Sequence, residues 1–106
     1  MEDMFNGSKF NGDISNWNVS NVTNMNGMFY ESEFNGDISI WNVSKVTDMS
    51  WMFAGSKFNG DISNWNVSKV TDITDIFKNC PIKRKYKPKF KLSESFQFNE
   101  INKKHK

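Results

Sequence analysis

The chain has 106 residues, 25% of them charged and 15% aromatic, with a formal net charge of +2. That length suits one domain with a limited core, and no stretch approaches the roughly 20 apolar residues of a membrane-spanning helix. The single cysteine, Cys80, rules out an internal disulfide, and the start Met1-Glu2-Asp3-Met4-Phe5 lacks the apolar run of a secretory signal.

From Met4 the chain repeats every 24 residues. Units run 4–27, 28–51 and 52–75, with a partial fourth over 76–82, and 15 of the 24 positions are identical in all three. A unit this small cannot bury its own apolar face, so stacking must bury it. The stacking predicts apolar columns: Phe5/Phe29/Phe53/Phe77, Phe10/Phe34/Phe58, Ile14/Ile38/Ile62, Trp17/Trp41/Trp65, Val19/Val43/Val67, Val22/Val46/Val70 and Met25/Met49/Ile73. The three tryptophans are expected in one buried column.

Within a unit, Ile14, Trp17 and Val19 space like the core of a leucine-rich repeat, and the alternation at Trp17-Asn18-Val19 predicts a short strand. Val22, Met25, Met28 and Phe29 follow at three- and four-residue steps, which predicts a short helix capped by Ser20 or Asn21. Asn11-Gly12-Asp13 and its copies are turn signals. The expected fold is an α/β repeat solenoid, with one short parallel strand and one short helix in each right-handed coil.

FNGDISNWNVSNVTNM at 10–25, its copies at 34–49 and 58–73, and the Met-Phe steps at Met28-Phe29 and Met52-Phe53 carry a family resemblance. The chain resembles the BspA-like leucine-rich-repeat family, in the Trp-containing form of mycoplasma-type surface lipoproteins and large DNA viruses. The resemblance covers about residues 4–82. It implies a right-handed solenoid used for protein or surface recognition, often secreted, with no catalytic residues.

Residues 83–106 form a basic tail. Residues 1–80 hold five lysines against ten acids, whereas residues 81–106 hold nine cations against Glu94 and Glu100. Lys83, Arg84, Lys85, Lys87, Lys89 and Lys91 alternate in part with Tyr86, Pro88, Phe90 and Leu92. One reading is binding to a phosphate-rich surface. The other is a cap, with Tyr86, Phe90 and Leu92 covering Phe58, Ile73 and Phe77 of the last unit. Phe96, Phe98 and Ile101 would continue that cover, and residues 102–106 would be a loose, solvated end.

Candidate contact residues come from the strand surface. Asn16, Asn18, Asn42, Asn64 and Asn66 would line it as repeated amides, either a polar ligand face or a self-bonded ladder. Ile40 replaces Asn in that row, and Trp51 stands where the other units have Gly27 and Asp75. Apolar side chains at such departures are contact candidates or local packing.

Asp13, Asp37 and Asp61 suggest either a calcium ladder, short of the six to eight oxygens the ion takes, or carboxylates bonded in their own turns. Asn-Val-Ser and Asn-Val-Thr triplets match glycosylation acceptors, as any Asn-rich repeat does. His105 lies in the tail and Cys80 has no fixed histidine partner. No phosphate loop, cofactor fingerprint or metal-ligand spacing is present, so the expectation is a non-catalytic module without cofactor. The expected partner is another protein. The alternative is nucleic acid or an anionic surface held by the tail, with the repeats as scaffold.

Overall fold

The computed structural model describes residues 1–90. Backbone hydrogen bonds between neighbouring units organise it. The N–H groups of Met25, Gly27, Phe29 and Glu31 donate to the carbonyls of Asp48, Ser50, Met52 and Ala54 at 2.8–3.0 Å. Met49, Trp51, Phe53 and Gly55 repeat this one unit later onto Asp72, Thr74, Ile76 and Lys78. The intervening amides turn back three residues along the chain: Met28 to Met25, Tyr30 to Gly27 and Ser32 to Phe29. Odd and even positions thus share the work, and every donor of 27–32 is used.

This geometry overturns the expected α/β solenoid. Among the described residues there is no α-helix and no strand. Regular structure is limited to the 3-10 turn Arg84–Tyr86 and the isolated parallel bridges Asn24–Asp48 and Asp48–Asp72. The molecule is a compact globule of stacked, turn-built units.

The segment read as a helix cannot be one, because a left-handed residue recurs every fourth position. Gly27 and Glu31 have φ of 63° and 53°, and Trp51 and Gly55 have 60° and 68°. Consecutive β-turns reproduce the three- and four-residue spacing of a helix face without its i→i−4 bonds. The expected strand at Trp17-Asn18-Val19 makes no backbone bond to a neighbouring unit. It lies between the turns Ile14–Trp17 and Val19–Val22. The parallel bridges fall in the segment read as helix.

Side chains supply what regular structure would otherwise provide. Asp13, Asn18 and Asn24 each accept the N–H of the residue two positions on, Ser15, Ser20 and Asn26, at 2.8–3.0 Å. Ser8, Ser32 and Ser56 accept the N–H of Phe10, Phe34 and Phe58. Short polar side chains favour such local bonds over helix or sheet. Between units, Asn11 accepts the N–H of Asn35, Asn35 that of Asn59, and Asn59 that of Lys83. The amide ladder is therefore Asn11/Asn35/Asn59, not the row around the tryptophans. Gly36 is required by its neighbour: a Cβ there would lie 2.8 Å from the Phe34 ring.

The core follows the predicted columns. Phe29 stacks on Phe53 at 5.4 Å, and Trp41 on Trp65 at 6.5 Å. Each such buried side chain contributes about 1.5–3 kcal/mol. The indole N–H of Trp41 donates to the Ile14 carbonyl, and that of Trp65 to the Ile38 carbonyl. Trp17 departs from the expected buried column. It lies at the first unit's outer face, 37% exposed, and Phe10, which like Trp17 packs on Phe5, is exposed as well. At the other end Tyr86 and Phe90 pack against the core and Pro88 is buried. The Tyr86 carbonyl accepts the Ile62 N–H. The expected roles of Leu92, Phe96, Phe98, Ile101 and residues 102–106 lie outside the described residues.

Candidate contact surface

Trp51 is the most unusual side chain on the surface. It takes the left-handed position that Gly27 holds in the first unit, with φ of 60°. A bulky residue there is an outlier. Its ring meets Tyr30 edge-on at 5.9 Å, and the Lys78 ammonium lies 6.0 Å above it. The Glu31 carboxylate, through its charge and then a hydrogen bond, raises the Tyr30 phenol above its ordinary 10.0. An exposed indole packed on a half-buried tyrosine, with a cation and a carboxylate at its flanks, offers an apolar contact with polar edges.

Ile40 is 70% exposed, the most exposed large apolar residue described. Asn16, Asn18, Asn42, Asn64 and Asn66 are exposed as expected. Asn18, Asn42 and Asn66, however, spend their carbonyl oxygens on Ser20, Ser44 and Ser68 in their own turns. Their amides are not a continuous ladder between units.

Asp13, Asp37 and Asp61 are used in the same local way. Each accepts both the hydroxyl and the N–H of the serine two residues on, at 2.6–3.0 Å. The serine hydroxyl is the larger cause, and the backbone N–H the second, of carboxyls held below their ordinary 3.8. Cys80 takes the serine position at the end of the partial unit, with Sγ 3.2 Å from the Phe58 carbonyl oxygen.

The described part of the basic segment, residues 83–90, lies against the repeats. Lys83 and Lys85 lie over the Tyr86 ring at 5.8 and 5.4 Å, and Lys87 lies over Phe77 at 5.1 Å. Between unit three and residues 84–90 is an open groove of about 860 Å³. Its walls include Ile73, Ile76, Phe77, Pro88 and Phe90, and Lys78, Arg84, Lys85 and Lys89 are among its cations. Lys91 lies outside the described residues. The alternation of cations with apolar residues was visible in the sequence, but the groove was not, because its other wall comes from unit three.

No curated protein and no solved structure matches the chain. One family model does, described as "Mycoplasma protein of unknown function, DUF285", and it covers residues 1–103. It agrees with the BspA-like resemblance at the level of a mycoplasma-type repeat family, and it extends past residue 82 through most of the basic segment. With nearly the whole length matched, the chain belongs to the DUF285 family.

Proposed function

We propose that the protein is a non-catalytic recognition module that binds another protein through the apolar side chains where the repeat is interrupted, Trp51 foremost and Ile40 second. The observation that carries this reading is the exposed indole of Trp51 at a left-handed turn position that Gly27 and Asp75 fill in the neighbouring units. Exposed Trp is enriched among residues that dominate interfaces. The repeated aspartates support a role without acid–base chemistry. Each is committed to a serine in its own turn and held ionised, so none is poised to carry a proton near neutral pH.

The test compares immobilised wild type, Trp51→Ala and Ile40→Asn for binding of one purified partner first identified with the wild type. The reading expects Trp51→Ala to weaken binding by about tenfold or more, with little salt dependence. Binding that is indifferent to Trp51 but collapses as salt rises would transfer the function to the basic segment as an anionic-surface binder.

A further inference from the structure

The groove beside residues 84–90 combines an apolar floor with a cationic rim. Ile73, Ile76, Phe77 and Phe90 offer hydrocarbon, while Lys78, Arg84, Lys85 and Lys89 stand around it, with Asp75 as the one acid among the described lining residues. Its volume of about 860 Å³ lies within the ordinary range of ligand sites. The backbone beside it is extended at Lys87, with φ of −78° and ψ of 144°, and the Lys87 N–H donates to the Arg84 carbonyl at 3.1 Å. The N–H groups of Lys89 and Phe90 make no hydrogen bond among the described residues.

We propose that this groove binds a short acidic peptide in which carboxylates alternate with large apolar side chains. This inference rests on the recognition reading above and names the partner class for one end of that surface. Lys78 links the two regions, since it lines the groove and lies over Trp51. An extended peptide presents alternate side chains to opposite sides. One row enters the apolar floor while the carboxylates stay level with the rim, where Arg84 and the lysines form charge-assisted bonds. Consecutive N–H groups of an extended segment point to opposite edges, so the peptide backbone pairs with one of the two open groups, Lys89 or Phe90, as in strand addition.

Charge alone would equally suit nucleic acid, but the rings argue for a peptide. Base stacking needs open aromatic faces. Here Lys87 lies over Phe77, and Lys83 and Lys85 lie over Tyr86.

The experiment is fluorescence anisotropy of a labelled peptide alternating Glu and Leu, titrated with the full chain at low salt. The expected result is saturable binding that the Lys85→Glu/Lys89→Glu double variant weakens by about tenfold or more. Both lysines are exposed, and a melting curve checks that the variant folds. A peptide alternating Lys and Leu should bind the double variant better than wild type, a reversal that a folding defect cannot produce. Because Lys78 lies over the Trp51 ring and also lines the groove, the two readings are separated by measuring partner binding and peptide binding on the same wild-type protein. Loss of peptide binding with Trp51-dependent partner binding intact therefore refutes this inference alone. It is also overturned if the full chain shows no saturable binding, or if a Gln–Leu peptide binds equally well. Displacement by oligothymidylate overturns it too. If only a chain ending at Phe90 binds, the groove belongs to the chain's own residues 91–106 and the inference fails.

Discussion

Trp51 holds opposing contributions in one side chain. Its left-handed backbone costs an L-residue roughly 1–2 kcal/mol. The edge-on contact with Tyr30 returns about 0.5–1.5 kcal/mol, and Lys78 above the ring about 0.5–1 kcal/mol. These terms nearly cancel, so replacement by glycine, which loses the contacts and the strain together, should move the melting temperature little. Trp51→Ala loses the contacts and keeps the strain, and should melt below Trp51→Gly. Trp41→Ala should be far worse than either, by about 3–5 kcal/mol, because it empties a buried site between neighbouring units. Thermal melts of the three variants give the order. Trp51→Ala melting above Trp51→Gly would contradict the strained assignment.

At the scale of the turn, a carboxylate bonded to its own serine replaces the regular structure the chain lacks. The same two-residue step recurs at Asp13-Ser15, Asp37-Ser39 and Asp61-Ser63. Each carboxyl is depressed below its ordinary 3.8 by the serine hydroxyl and the N–H. A depressed folded-state value favours the fold fully above the unfolded value and loses that contribution as pH falls through the folded one. Melting temperature should therefore hold above pH 3.8 and decline below it. Replacing Ser15, Ser39 and Ser63 by alanine should lower the plateau and flatten the acid decline. An unchanged slope in the triple variant would show that other carboxyls set the acid limb.

These turns also explain why the elements were misread while the repeat was not. Met25, Met28 and Phe29 all face the core, so their spacing reported burial correctly. Burial spacing cannot distinguish a helix from successive β-turns when the deciding variable is the sign of φ at every fourth residue. Gly7, Gly27 and Gly55 signal that variable, whereas Glu31 and Trp51 conceal it at equivalent positions. Trp51 was singled out because it departs from the repeat. The groove, a product of chain crossing between unit three and residues 84–90, leaves no local pattern.

Across the whole molecule, the units differ mainly in what neighbours them. Unit two is covered on both sides, and unit three is met by Lys83, Tyr86 and Phe90. Unit one leaves Trp17 and Phe10 at its outer face. Identical residues consequently meet different environments, and the four tryptophans report this directly. The indole N–H groups of Trp41 and Trp65 are buried on the carbonyls of Ile14 and Ile38 at 3.1 and 3.0 Å. Those of Trp17 and Trp51 have no acceptor among the described residues. Hydrogen exchange of the four indole signals by NMR tests the register of stacking and the exposure of Trp51 together. The account predicts two slowly exchanging signals, assigned to Trp41 and Trp65, and two fast ones. Equal exchange at all four, or protection of Trp51 in the isolated monomer, would contradict it.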